Sequence, residues 1–346
     1  MITTERDKKV KCLVWDLDNT LWDGVLLEDD EVALRDGVTE VIETLDARGI
    51  LQSIASRNDH DLAMAKLQAL GLDEYFIYPQ INWNAKSASI EQIAASINIG
   101  IDSIAFIDDQ PFEREEVAFA HPDVLCLPAE ELHRIPELPA MIPRFITEDS
   151  RLRRKMYQAD IVRNQSEELF KGTQHEFLAS LNMKLTIAAA QKEDLKRAEE
   201  LTVRTHQLNT TGYTYSYDEL ETFRNSDHHH LWIASLEDKY GKYGKIGLAL
   251  IEIRENEWWI RLLLMSCRVM NRGVGSVFIN HIRNRAREAG VRLFADMIPN
   301  DRNRMMYMTY KFSHFRETGN SDGRLILEND LTSVQAHPEY LKLELG

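Results

Sequence analysis

Between residues 10 and 127, short apolar runs alternate with stretches of helical period. The runs at 12–16, 51–55, 76–78, 104–107 and 124–127 are of strand length, and the periodic stretches at 38–48, 62–70, 89–97 and 112–120 are of helix length. Strand and helix in alternation predict a parallel sheet with helices on both faces. Ligands of such sheets bind beyond the carboxyl ends of the strands, which directs attention to whatever polar residues follow each run.

The pattern changes after residue 127. Pro128, Pro136, Pro139 and Pro143 place four of the nine prolines in sixteen residues, which reads as a linker or rigid strap. A long charged helix is expected at 149–171 as a connector. Beyond it the order is strand 184–189, helices 193–205 and 218–223, then strands 231–236, 246–253 and 258–265. Helix 274–287, strand 292–297, helix 302–311 and a polar tail follow. Three successive antiparallel-type strands and a strand–helix pair predict a mixed α+β sheet. The expected division is residues 1–135, a linker and connector over 136–182, a second domain over 183–330 and a tail over 331–346.

Composition narrows the class. The chain has 346 residues, 44% hydrophobic and 28% charged, as in an ordinary globular protein of two domains. Its apolar runs are far shorter than the roughly 18 residues of a membrane span, and the charged first eleven residues predict no secretory signal. Cys12, Cys126 and Cys267 are widely spaced, without metal-type pairing or a disulfide framework, so a cytoplasmic setting is expected. A net charge of −15 speaks against a nucleic-acid binder. The stretch 261–311 is nonetheless rich in Arg and Lys and offers a place to dock an anionic partner.

The chemistry concentrates at the end of the first run, in Val14-Trp15-Asp16-Leu17-Asp18-Asn19-Thr20. Two aspartates at a strand's carboxyl end repel each other unless a cation lies between them. Asp16 is therefore expected to attack phosphorus or at least to hold a metal, and Asp18 to protonate the leaving oxygen and then activate the next nucleophile. Three later strand ends supply what else phosphoryl transfer needs. Ser56 can give a hydroxyl and an N–H to a phosphoryl oxygen, Lys86 can neutralise the transferring group, and Asp108 and Asp109 can complete a divalent-metal site.

These residues resemble, in order, the four motifs of the haloacid dehalogenase (HAD) superfamily. The resemblance implies a HAD-like Rossmannoid α/β domain and Mg²⁺ held by Asp16, the backbone carbonyl of Asp18 and Asp109, with Asp108 behind them. It also implies a phosphate cradle of Ser56, Arg57, Asn58 and Lys86. The spacing of the motifs leaves no room for a cap domain, so the site is expected either to be open and suited to a large or protein-tethered substrate or to be covered by the second domain.

Longer strings, VWDLDNTLWDGV (14–25), SIASRN (53–58), FIDDQPFEREEV (106–117), RTHQLNTT (204–211) and LMSCRVMNRG (264–273), are similar to the FkbH-like branch of that superfamily. That resemblance covers roughly residues 10–330. It implies an enzyme of polyketide or related biosynthesis that takes the glyceryl group of 1,3-bisphosphoglycerate, removes phosphate, and loads glyceryl onto the phosphopantetheine thiol of an acyl carrier protein. An acyl phosphate is already activated for attack by a thiol, whereas the ester phosphate needs the aspartate machinery. Ala55 stands where Cys is common in the branch, Arg57 where Lys is, His206 where Asn is and Leu208 where Phe is. These departures bear on the acyl group rather than on the phosphatase chemistry. The alternative is a stand-alone phosphatase of small sugar or acyl phosphates, its second half a scaffold. A non-catalytic adaptor would have no need of the metal set.

The second half also resembles the GNAT acyltransferase fold, with Arg272-Gly273-Val274-Gly275 opening a helix whose N–H groups could cradle pantetheine or pyrophosphate. Met270 replaces the usual Gln or Arg before that loop. Cys267 is either a small core residue or a transient thioester carrier activated by Arg268 and Arg272. His228-His229-His230 reads as a solvated turn rather than a metal site, because consecutive side chains diverge. Trp258 and Trp259 are expected to divide between core and rim, and Arg151, Arg153, Arg154 and Lys155 to form one charged turn of the connector.

Overall fold

The computed structural model describes residues 9–29, 31–205, 208–334 and 336–346, and the chain divides into two compact units at residues 1–158 and 159–346. His206 lies outside the described residues, as does most of the charged stretch before the first strand.

In the first unit, β1 (Cys12–Trp15) leads through a short hairpin, β2 (Trp22–Asp23) with β3 (Ala33–Leu34), to helix α1 (Val38–Ala47) and β4 (Leu51–Ser56). Then come α2 (His60–Ala69), β5 (Gln80–Ile81), α3 (Lys86–Ile97), β6 (Ile104–Asp108), α4 (Pro111–Ala120) and β7 (Leu125–Pro128). The sheet order is β5-β4-β1-β6-β7, with every pairing parallel. β1, β4 and β6 are buried on both faces, which is why their sequences read as continuous apolar runs instead of alternating. α1 buries Val38, Val41, Ile42 and Leu45, the i, i+3, i+4, i+7 stripe that a sheet-covering helix requires. α2 is capped by the Asp59 side chain, which accepts from Leu62 N.

Because β1 runs outward through β4 to β5 and the chain then returns to β6 on its other side, the direction of winding reverses beside β1. A crevice opens at that reversal, at the carboxyl ends of β1 and β6. Among the described residues, the segments joining the sheet strands hold only the small hairpin and the covering helices, with no inserted cap.

Two expectations change here. The strand at 76–78 reduces to one bridge from Phe76 to Gln52, and the paired strand comes at Gln80–Ile81. Between them Tyr78 has φ 50°, which interrupts extended backbone. The proline-rich stretch is no linker. It folds as 3₁₀ turns, Ala129–Glu137 and Pro139–Met141, which bury Leu132, Ile135 and Met141 in the first unit's core. Proline supplies the fixed φ of those turns while their apolar side chains pack.

The expected connector is α5 (Glu148–Arg151) and α6 (Arg153–Glu168), and the division between the units falls after Gln158. Arg153 donates to the Gly49 carbonyl (2.7 Å), while Arg154 pairs with Asp46 (3.1 Å) and Glu74 (3.0 Å). Those arginines are anchors inside the first unit, not a solvated turn.

The second unit adds α7 (Gln174–Ser180), β8 (Met183–Ala189), α8 (Leu195–Arg204), α9 (Tyr217–Arg224), β9 (His229–Asp238), β10 (Gly241–Arg254) and β11 (Glu257–Met265). It closes with α10 (Val274–Glu288), β12 (Arg292–Met297), α11 (Arg304–Phe312), β13 (Phe315–Ser321), β14 (Arg324–Asn329) and β15 (Leu341–Leu345). The sheet order is β13-β14-β12-β11-β10-β9-β8-β15, antiparallel except for β11 with β12 and β8 with β15. Residues 331–346, expected as a tail, therefore supply an edge strand. β13 is polar and bulged, and β15 is five residues long, so neither presents the apolar run by which the inner strands are recognised.

Arg163, 1% exposed, anchors the end of α6 inside this unit: it makes a two-pronged bond to Asp238 (2.7 and 2.8 Å), pairs with Asp160 (2.6 Å) and lies 3.8 Å over the Tyr243 ring. Among the described residues no helix is long and apolar enough to cross a membrane.

Candidate active site

Asp16 follows β1 directly, and its N–H donates to the Ile107 carbonyl of β6 at 3.0 Å, which holds it at the crevice. Asp108 is the last residue of β6 and Asp109 the next. Oxygens of Asp16, Asp108 and Asp109 all lie within 4.8 Å of one another. Lys86, the first residue of α3, reaches into this group and is 4% exposed. Its Nζ lies 2.8 Å from Asp16 Oδ1 and 2.5 Å from Asp108 Oδ2. Four residues from three strand ends thus meet at the place where the winding reverses, as the sequence indicates for Asp16, Lys86, Asp108 and Asp109.

The charges do not balance. Three acids face a single ammonium, and burial, aided by the charge of Asp16, pushes the Asp108 carboxyl up to about 6 despite Lys86. Burial and then Asp16 raise Asp109 too. Lys86 is itself raised: burial disfavours its charge, and the attraction of Asp16 and Asp108 outweighs that. Hard carboxylate oxygens at this separation, short of positive charge, suit a small divalent cation such as Mg²⁺. The two neighbouring aspartates differ in availability. Asp108 gives one oxygen to Lys86 and the other to Gln110 N (2.7 Å), whereas Asp109 Oδ1 meets only the Thr20 hydroxyl at 3.5 Å.

Asp18 stands apart from this group and is held by neutral donors. Trp22 Nε1 (2.7 Å) and Leu26 N (3.1 Å) donate to Oδ1, and Asn58 Nδ2 (2.9 Å) donates to Oδ2. Burial raises its carboxyl above the usual range, the direction that suits a proton donor. The turn that aims it passes through Asn19 at φ 53°, whose carbonyl accepts from Arg35 (2.8 Å). Thr20 ties this turn to the other strand, its hydroxyl accepting from Asp109 N at 3.0 Å.

The expected phosphate cradle separates. Ser56 ends β4, is 4% exposed, and its hydroxyl is held by no other group among the described residues, so it remains available to a phosphoryl oxygen. Asn58 is instead committed to Asp18. Arg57 turns toward Glu113 (2.8 Å) and the Asn84 carbonyl (3.3 Å). Sequence reasoning missed Trp22, Thr20 and Glu113. Trp22 and Thr20 lie within the 14–25 string, and an indole N–H four residues beyond a catalytic-type acid was the available signal.

In the second unit, Cys267 is partly buried in the turn after β11. The activation expected from its arginine neighbours has other uses: Arg268 donates to the Tyr243 carbonyl (2.7 Å) and Arg272 to Glu167 (2.7 Å). Nearby, β11 and β12 pair only as far as Ile260 and Ala295, and residues 208–210 fill the opening between them. Thr210 N donates to the Leu263 carbonyl (3.0 Å), Ile298 N to the Thr210 carbonyl (2.9 Å) and Met265 N to the Leu208 carbonyl (2.9 Å). Beside this lies a groove of about 200 Å³ lined by Met265, Met270, Met305 and Met306 with Gly273 and Gly275. Gly273, at φ +73°, is required twice over, since a side chain there would also strike the Tyr340 hydroxyl.

The histidine run holds no metal cluster among the described residues: His229 meets Ser226 (2.9 Å) and His230 stacks on Trp232. Trp258 is buried while Trp259 stacks on Phe294 nearer the surface. Nor is the basic stretch one open patch. Arg261, Arg272, Arg285 and Arg292 pair with acids, Arg268 with a carbonyl and Arg283 with Asn329.

No family profile matches the chain, and no curated protein does. Among solved structures, it is similar to the N-terminal part of BF1531 from Bacteroides fragilis, which contains a phosphatase domain and was crystallised with Mg. The identity is 31% over 39% of this chain and 40% of that one, with a TM-score of 0.33. Another part resembles the ribosomal-protein-S18-alanine N-acetyltransferase of Escherichia coli (14% identity, 44% of this chain, 96% of that one, TM-score 0.35). A third similar structure is a phosphinothricin N-acetyltransferase homologue (20% identity, 43% and 99%, TM-score 0.32). By its own strand order and connections, the chain is a parallel α/β sheet without an inserted cap among the described residues, followed by a mixed α+β domain, the architecture that the HAD and GNAT resemblances imply.

Proposed function

We propose that the chain is a Mg²⁺-dependent phosphatase and glyceryltransferase, which dephosphorylates 1,3-bisphosphoglycerate and passes the glyceryl group to the phosphopantetheine thiol of an acyl carrier protein. The observation that carries the phosphatase half is the convergence of Asp16, Lys86, Asp108 and Asp109 at the winding reversal, with Asp18 held separately and its carboxyl raised by burial.

Asp16 attacks the ester phosphorus. An oxygen–phosphorus bond forms to its carboxylate as the bond to the leaving alkoxide breaks, and Asp18 gives that alkoxide its proton. Asp18, now a base, takes a proton from water as the water oxygen attacks the aspartyl phosphate, which releases phosphate and restores Asp16. Lys86 and Ser56 hold the phosphoryl oxygens, and Trp22 and Asn58 keep Asp18 on line. Mg²⁺, held by Asp16 and Asp109 with Asp108 behind them, would neutralise charge on the transferring group.

The transfer half rests on the resemblance of the second-half strings and on the methionine-lined groove beside Gly273, whose dimensions and softness suit a pantetheine arm. The carrier thiol displaces phosphate from the acyl carbon, forming the thioester. Incubating the holo carrier protein with 1,3-bisphosphoglycerate, Mg²⁺ and the full chain should add one glyceryl unit to the carrier mass. Phosphate release at the same rate with and without carrier, and no mass gain, would reduce the proposal to a stand-alone phosphatase.

A further inference from the structure

Arg57 lies at the end of β4, between Ser56 and Asn58, yet its side chain does not join theirs. It forms an ion pair with Glu113, four residues past Asp109 in the first turn of α4. β4 and β6 flank β1 in the sheet. An ion pair between the residue after β4 and the first turn of the helix after β6 therefore links the two sides of the crevice at which Asp16 lies. The Asn84 carbonyl, two residues before Lys86, also accepts from Arg57. Arg57 is thus fastened from three strand ends across the mouth of the crevice.

The two partners are unequally buried. The Glu113 side chain is 6% exposed and that of Arg57 is 38% exposed. Glu113 Oε2 is buried with no hydrogen-bond partner among the described residues. A buried carboxylate with one oxygen unsatisfied costs stability, and a simple surface strut has no need of one. What Glu113 secures is a guanidinium of fixed direction whose Nη2 has no hydrogen-bond partner among the described residues. Trp83 and Phe112, which precede Asn84 and Glu113 in sequence, are 68% and 69% exposed, so the guanidinium stands at an entrance and not in a packed floor.

We infer that Arg57, positioned by Glu113, reads a second anionic group of the substrate, a carboxylate or phosphate a few bonds away from the phosphoryl group that is removed. A planar fork of N–H donors fits either anion in two-pronged fashion. This rests on the phosphatase reading above and specifies its substrate class as small phosphate esters that carry a further anion.

The test uses the full chain with Mg²⁺ and three esters on one carbon skeleton. Glycerol 3-phosphate lacks the second anion, 3-phosphoglycerate carries a carboxylate, and 1,3-bisphosphoglycerate carries a phosphate. The wild type should prefer the second and third over the first. Arg57→Ala should reduce that preference roughly 10- to 100-fold, the range of a charge-assisted hydrogen bond, with the change mainly in KM. Glu113→Gln preserves shape but loosens the guanidinium and should lose part of the preference, while Arg57→Lys should restore part of it. The arm that loses more identifies which anion is read.

An unchanged preference in both Arg57→Ala and Glu113→Gln overturns the inference, as does an equal fall for glycerol 3-phosphate, which would make the pair a structural strut. A wild type that hydrolyses all three alike overturns it while leaving the phosphatase intact. Hydrolysis of none overturns the phosphatase reading and this inference together.

Discussion

The two sheets place their polar residues in opposite ways. In the first unit, three acids gather around one lysine at strand ends, unbalanced in charge, and burial raises the carboxyls of Asp108 and Asp109. In the second, a comparably buried network around Arg163 closes on itself, with each arginine prong answered by Asp238 or Asp160. Buried charges that are fully paired build a fold, and those left short of a counterion await one. The difference separates the unit in which chemistry can be read from side chains alone from the one in which only architecture can.

The largest test of that contrast is Asp16→Asn. It keeps shape and removes the attacking oxygen, so phosphate release should fall by at least about 10³-fold while circular dichroism and melting stay close to wild type. Release within tenfold of wild type would place the chemistry elsewhere. Trp22→Phe should act on the same proton path more mildly. Removing the indole N–H that holds Asp18 Oδ1 should lower kcat roughly 10- to 100-fold with little change in KM. An effect confined to KM would make Trp22 a substrate contact.

In the second unit, Arg163→Ala removes the guanidinium that Asp238 and Asp160 share and leaves Asp238 buried without its paired cation, and should destabilise that unit by about 3–5 kcal/mol in denaturant titration. Phosphate release under native conditions should persist. A loss below about 1 kcal/mol would mean the network is solvated and the contrast is false.

Proton linkage gives a smaller signal. The folded pKa of Asp108, about 6, lies above its unfolded value near 4, so the folded state binds more protons across that interval. Without divalent cation, the contribution of this group to stability is full below pH 4 and is lost as the pH rises through 6. Mg²⁺ requires the ionised carboxylates and should raise the melting temperature by a few degrees at pH 7 and less at pH 5. Equal Mg²⁺ shifts at both pH values would show that the cation binds elsewhere.

The sequence made the first unit legible because its strands are buried on both faces, so apolar runs end abruptly at the acids of the site. Asp16, Lys86, Asp108 and Asp109 needed only strand boundaries to be brought together. What stayed hidden depended on side-chain direction. Nothing in Ser-Arg-Asn shows that Asn58 turns to Asp18 while Arg57 turns to Glu113, because the first choice follows from where the turn after β1 puts Asp18 and the second from where helix α4 begins. In the second unit the inner strands were legible for their apolar alternation, whereas β13 and β15 lie at the sheet edges, where polar residues conceal them. The proline-rich stretch misled for a physical reason too: proline both breaks helices and forms packed 3₁₀ turns, and only the burial of Leu132 and Ile135 distinguishes the two.

The smallest expected effect is the one most able to break the contrast. Cys267→Ser removes the best-placed thiol of the second unit at the cost of one atom. Cys267 is partly buried in the turn after β11, the setting of a small packed residue, so both phosphate release and carrier loading should stay within about twofold of wild type. Loss of loading with phosphate release intact would mean that the acyl group rests on Cys267 before it reaches the carrier. The second unit would then hold a covalent step that its hydrogen bonds conceal, and paired arginines would no longer mark a region without chemistry.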